Sequence, residues 1–278
     1  MIRADGWLRG LPFATAVAIA IAAGAASAQL PPQPASRAAS PPSLPPLFLR
    51  EEWRQRARPA DAGPDFVPEQ GVTPAALTNP ALELKLYDPN AQSIPAYLKQ
   101  PPPRTIARDW SGPACVQLAG YNQNPPPQQV AAGQPTDPPN LWTGVCLTPV
   151  AVTLRHRSNY VDLTGLARIR WVTRVSGFHV VRPVIKLADG SWFVGDYGEG
   201  APSANSTLFL ESEFAVSSVR WLSLDISRVV TVGQTWMEPD LSRVDEIGFA
   251  DLLPGSGHGW GGFVNVGRIE VYGKAVKR

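Results

Sequence analysis

Arg168-Ile-Arg-Trp-Val-Thr-Arg174 sets Arg168 and Arg170 against Ile169 and Trp171 along an extended chain. That is the period of a half-buried β-strand, because successive side chains of a strand point to opposite faces. Trp171, in phase with Ile169, is read as core. Short β-branched and aromatic runs of the same kind recur on both sides, with turn residues between them. They span Val150 to Arg157, Val180 to Leu187, Trp192 to Asp196, Leu208 to Val216, Arg220 to Ile226, Glu246 to Asp251 and Val264 to Tyr272. Asp189-Gly190 is a hairpin signal. No window of comparable length carries a 3.6-residue apolar stripe, and the connections are too short for crossover helices. The fold class is therefore all-β and antiparallel.

Working outward, the N-terminus has a different composition. Arg3 and Arg9 precede a 13-residue apolar run, Leu11 to Ala23, and Ala26-Ser27-Ala28 offers the small-x-small pattern of a cleavage site. Residues 1–28 read as a secretory signal peptide. The run falls short of the roughly 20 residues that span a bilayer as a helix, and an uncleaved anchor is the alternative. No later stretch is long and apolar enough to cross a membrane. Gln29 to Leu47 holds seven prolines, which remove donors and fix φ, so it reads as an extended tether. Phe48 opens the folded part, 48–278, as one β-sandwich domain with a Pro-rich insertion at about 122–140.

Cleavage would remove two arginines and one aspartate, taking the formal charge from +2 to +1. A near-neutral chain offers no field for nucleic acid. The two cysteines, Cys115 and Cys146, are expected to form a disulfide, since an even count in an exported chain suggests one. The expected location is periplasmic or secreted. Two thiols and three scattered histidines do not make a metal set at close spacing, so no cofactor is expected. Metal ligands are unknown, and a structural calcium is left open.

Several runs together resemble the galactose-binding-like jelly roll of many carbohydrate-binding modules, and the related domain of complex I intermediate-associated protein 30. Tyr160-Val-Asp-Leu-Thr-Gly-Leu-Ala-Arg-Ile-Arg-Trp171 is similar to that family's opening strand. Trp221-Leu-Ser-Leu-Asp-Ile226 is similar to its Trp-led strand, Pro239-Asp-Leu-Ser-Arg-Val-Asp-Glu-Ile-Gly-Phe249 to the next element, and Gly267-Arg-Ile-Glu-Val-Tyr272 to the closing strand. Val266-Gly267-Arg268 stands where the family often carries an acidic pair. The likeness covers roughly 150 to 275 and implies an antiparallel jelly-roll sandwich.

Catalytic patterns are missing. Glu238-Pro-Asp240 begins like an acidic glycosidase signature, but Arg243 fills its third acidic position. Asp245-Glu246 reads as a solvated turn-to-strand pair. No Gly-x-Ser-x-Gly elbow occurs, and Gly255 to Gly262 lacks a phosphate loop's lysine. Aromatics carry more. Nine tryptophans are many for this length; Trp142, Trp192, Trp236 and Trp260 fall in or beside loops, where sugar rings stack on such planes. Arg155, Arg157, Arg168, Arg170 and Arg182 would line one surface if neighbouring strands brought them together, which would suit an acidic polysaccharide. The alternative is that they pair with the acid-rich residues 191–256.

The leading reading is a secreted, non-catalytic carbohydrate-binding module for a polysaccharide or acidic envelope glycan. Its expected binding surface comprises Trp192, Tyr197, Trp260, Asp196 and Arg182. The alternatives are a glycoside hydrolase-like enzyme with loop-borne carboxylates, and a periplasmic assembly domain.

Overall fold

The stretch that begins at Arg168 runs on to Gly177 as a ten-residue strand whose side chains alternate. Ile169, Trp171, Thr173 and Val175 are buried, and the residues between them are half-buried. The computed structural model describes residues 43–54, 70–89, 115–119, 137–144, 146, 148–200, 208–253 and 262–278. All of these lie in one compact unit, Pro42–Arg278. The expected signal peptide, most of the tether and insertion, and Trp260 lie outside the described residues.

Seventeen strands occur among them: β1 Leu47–Glu51, β2 Gln70–Gly71, β3 Leu82–Tyr87, β4 Gln117–Ala119, β5 Asn140–Trp142, β6 Val150–His156, β7 Asn159–Asp162, β8 Arg168–Gly177 and β9 Val180–Leu187. The rest are β10 Trp192–Gly195, β11 Glu199–Gly200, β12 Leu210–Ala215, β13 Trp221–Asp225, β14 Val230–Thr231, β15 Val244–Asp251, β16 Gly262–Tyr272 and β17 Lys274–Lys277. The helical content of the described residues is two three-residue 3-10 turns, Pro74–Ala76 and Val216–Ser218.

The strands form two antiparallel sheets. The seven-stranded sheet runs β12-β8-β16-β5-β4-β2, with β1 also on β16. The ten-stranded sheet runs β14-β13-β10-β9-β15-β6-β3, with β11 on β9, β7 on β15 and β17 on β7. Ile169, Trp171 and Val264 of the first sheet join Leu154, Ile185, Ile247 and Phe249 of the second in one buried cluster. That is the interior of an all-β sandwich. The β9–β10 hairpin turns at Gly190, whose φ of 92° a side chain would strain. Asp189 Oδ1 accepts the Ser191 N–H at 2.8 Å and fixes the turn. Cys115 and Cys146 are bonded, with Cα atoms 4.9 Å apart, as the sequence leads one to expect. No helix of the described residues is long and apolar enough to cross a membrane.

The sandwich divides the arginines. Arg155 is on β6, with Arg157 just beyond it, in the ten-stranded sheet, while Arg168 and Arg170 are on β8 in the other. No common arginine face forms from these four. Each has a carboxylate partner: Arg155 Nε lies 3.0 Å from Asp245, Arg157 3.2 Å from Glu83, Arg168 3.2 Å and Arg170 2.8 Å from Glu213.

Candidate functional site

Arg182 and Asp196 meet where β9 begins and β10 ends. Arg182 donates to the Asp196 carbonyl at 3.1 Å. The Asp196 carboxylate accepts the Arg220 N–H at 2.8 Å and the Arg220 Nε–H at 2.7 Å, and the Asp196 N–H returns a bond to the Arg220 carbonyl at 2.8 Å. Burial raises the Asp196 pKa, but the Arg220 backbone and guanidinium donors outweigh it and hold the carboxyl below the usual aspartate value. Arg220 is thus pinned at its Nε edge. Its guanidinium carbon then lies 4.4 Å from the ring centroid of Trp236, a cation–π geometry.

Beyond Arg220 opens a cleft of about 390 Å³, lined among others by Ser217, Trp221, Trp236, Met237, Glu238 and Pro239. One wall is the turn Val216–Ser218, tied down by the Val216 N–H to the Ala167 carbonyl at 2.9 Å. The other is the segment around Met237, held to the start of β13 by an antiparallel bridge to Trp221, with Met237 N–H donating to the Trp221 carbonyl at 2.8 Å. Gly195 lets this corner close. A Cβ there would stand 2.5 Å from Val219 and 2.8 Å from Pro183. Trp236 and Met237 keep 43% and 45% of their surface exposed, so an aromatic plane and a thioether face solvent beside a fixed guanidinium and the exposed Glu238. Such a surface offers an apolar plane to stack on, donors and an acceptor.

The other residues expected to bind are placed differently. Tyr197 turns inward and stacks on Phe214, ring centroids 4.0 Å apart, with Trp171 5.9 Å away. Trp192 sits on the outer face of the ten-stranded sheet, edge-on to Tyr87 at 4.9 Å, with Lys186 Nζ 5.5 Å from its ring. Trp260 lies outside the described residues. Two of the five residues, Arg182 and Asp196, therefore converge, and they do so behind Arg220 and Trp236 rather than with Trp192.

Asp245-Glu246, read from sequence as a solvated pair, belongs to β15, and Glu246 is only 2% exposed. A register shift between Val244 and Glu246 interrupts the pairing with β9 at Asp245. Glu246 accepts Tyr87 Oη at 2.9 Å, Thr153 Oγ1 at 2.6 Å and Lys186 Nζ at 3.1 Å. Burial, reinforced by that carboxylate, drives the Tyr87 phenol above its ordinary value. Asp245 holds Arg278 at 2.6 Å and Arg155 at 3.0 Å; burial raises its pKa, and the two guanidiniums bring it below the usual range. A second buried set joins Thr143 Oγ1 and His179 Nδ1 to Asp251 Oδ2, both at 2.7 Å. The carboxylate rather than the imidazole is in the middle, so His179 is no base for the Thr143 hydroxyl, and the nucleophile order of a triad is not met. Among the described residues no group of three or more His, Cys, Asp or Glu side chains is arranged to hold a metal ion.

Arg220, Trp236 and Trp221 were not among the residues chosen from sequence as the binding surface. Trp236 had a visible signal, an aromatic in a turn-rich stretch. No protein-family model, curated protein or solved structure matches this chain.

Proposed function

We propose that this chain is an exported, non-catalytic carbohydrate-binding module of the galactose-binding-like jelly-roll kind, and that the cleft beside Trp236 holds the sugar. The observation that carries this reading is the exposed Trp236 plane standing next to an arginine fixed by Asp196, at the mouth of a cleft of about 390 Å³. That volume is in the usual range for small-ligand sites, roughly 300–1,000 Å³. A pyranose offers an apolar C–H face for the indole and hydroxyls for the charged groups around it. Asp196 neutralises Arg220 and Glu238 lines the cleft, so the charge balance favours an uncharged glycan over an acidic one. The disulfide supports an oxidising, extracytoplasmic location, as does the signal-like N-terminus.

A glycan array probed with the chain lacking residues 1–28 tests the reading. Binding to neutral oligosaccharides, insensitive to salt, is the expected result. Release of reducing ends from a bound glycan would instead make the chain a hydrolase. No binding across the array would refute the module.

A further inference from the structure

We propose that Met237 is an oxidation site, at which a peroxide converts the thioether to the sulfoxide and lowers the affinity of the cleft for its sugar without disturbing the sandwich. The loss of affinity rests on the glycan reading of that cleft; the oxidation itself does not. The sequence holds two methionines, Met1 and Met237, and two cysteines. The cysteines are bonded to each other and are 3% and 1% exposed. Among the described residues Met237 is therefore the reduced sulfur, and it keeps 45% of its surface in solvent. An oxidant reaches such a side chain without any opening of the fold. The thioether sulfur attacks one peroxide oxygen, the O–O bond breaks and an S–O bond forms. The departing hydroxide takes the proton left on the transferred oxygen and leaves as water, so sulfur gives up an electron pair and the peroxide accepts it.

For the fold, the added oxygen changes little. Met237 belongs to neither buried cluster. Its main chain is held independently of its side chain, by the bridge to Trp221 and by its N–H on the Trp221 carbonyl at 2.8 Å. The sulfoxide leaves both the core packing and that pairing in place. In the cleft the change is larger. Met237 lines it together with Trp236 and Glu238, and a flexible apolar side chain there becomes a polar one. The C–H face of a pyranose loses an apolar neighbour, and the new acceptor oxygen holds water that an arriving sugar has to displace.

The test treats the chain lacking residues 1–28, and its Met237→Leu variant, with hydrogen peroxide. Peptide mass mapping should place one added oxygen on Met237 of the folded protein, with the urea midpoint kept. Oxidation that waits until urea has unfolded the chain would overturn the site, and a fall in the midpoint would overturn its independence from the fold. Calorimetric titration with cellohexaose, xylohexaose and galactotetraose reads the consequence. A sugar that the reduced chain binds should lose roughly tenfold in affinity on oxidation and regain it after treatment with methionine sulfoxide reductase. Met237→Leu should bind that sugar equally before and after peroxide. Unchanged affinity in the oxidised chain, or a loss that Met237→Leu shares, overturns this inference while the cleft keeps its function. If the reduced chain binds none of the three sugars, the glycan reading falls and the loss of affinity with it, while the mass map still reads the oxygen on Met237.

Discussion

On the outer face of the seven-stranded sheet, Arg170 lies 2.8 Å from Glu213 and 3.7 Å from Glu270, and Arg268 pairs with Glu211 and Glu270. Positive and negative side chains alternate there from strand to strand, and each charge is answered by a neighbour. In the cleft beside β13 the bookkeeping differs. Arg220 is answered at one edge by Asp196, while Trp236 and Met237 are left in solvent. A cross-strand ladder of opposite charges is complete in itself and calls for no partner. The cleft leaves an aromatic plane and a thioether side chain uncovered, surface that a second molecule can cover. The larger number of arginines therefore marks the less informative surface.

The comparison can be broken first at the level of stability. Trp171 is fully enclosed between the sheets and Trp236 is not, so Trp171→Ala should cost about 3–5 kcal/mol. Trp236→Ala should change stability by no more than about 0.5 kcal/mol. Urea denaturation of the two variants checks this. Equal losses would mean that the turn carrying Trp236 is part of the core rather than a presented surface.

Next in size is the disulfide. Cys115 and Cys146 are 31 positions apart, and in the chain-entropy model closing such a loop contributes about 3–4 kcal/mol. Replacing both cysteines by serine should lower the urea midpoint accordingly. If glycan binding by that variant is unchanged at temperatures where it stays folded, the bridge is a clamp on β4 and β5 remote from the cleft.

Acid separates the two regions more gently. Asp196 and Asp245 both have folded pKa values below the unfolded one. The stability they contribute is complete above the unfolded aspartate value of about 3.9 and is lost as pH falls through the folded values. The urea midpoint should therefore hold near neutrality and decline below about pH 4, less steeply in Asp245→Asn. An identical decline in that variant would show that Asp245 is not a source of the loss.

Much of the fold is legible in the sequence, and the reasons are local. β9 spans the very residues that its run of Val, Ile and Leu predicts, and β6, β8, β10, β13, β15 and β16 follow their alternation within a few positions. β3, Leu82–Tyr87, alternates Leu82, Leu84 and Leu86 with Glu83 and Lys85, and the same rule would have found it. β2, β4 and β5 hold two or three residues each, too few for a period to show, and they are strands only because long-range pairing makes them so. The site was less legible. Grouping Arg155 and Arg157 with Arg168 and Arg170 by sequence could not reveal that the chain changes sheets between Asp162 and Arg168, which sends them to different faces. Tyr197 follows Asp196 directly, yet one packs on Phe214 and the other holds Arg220. Trp236 meets Arg220 only because two separate segments come together beside β13, which no single stretch of sequence records.

The most direct test of the account is the affinity of three proteins, measured by calorimetric titration with the neutral oligosaccharide that the parent chain binds best. The parent is compared with Trp236→Ala in the cleft and Arg170→Ala on the charged face. We expect Trp236→Ala to lose tenfold or more in affinity, as truncation of a stacking aromatic at the centre of an interface does, with its urea midpoint kept. Arg170→Ala should bind as the parent does. Parent-like binding by Trp236→Ala, or a loss that follows Arg170→Ala instead, would contradict the placement of the sugar in this cleft.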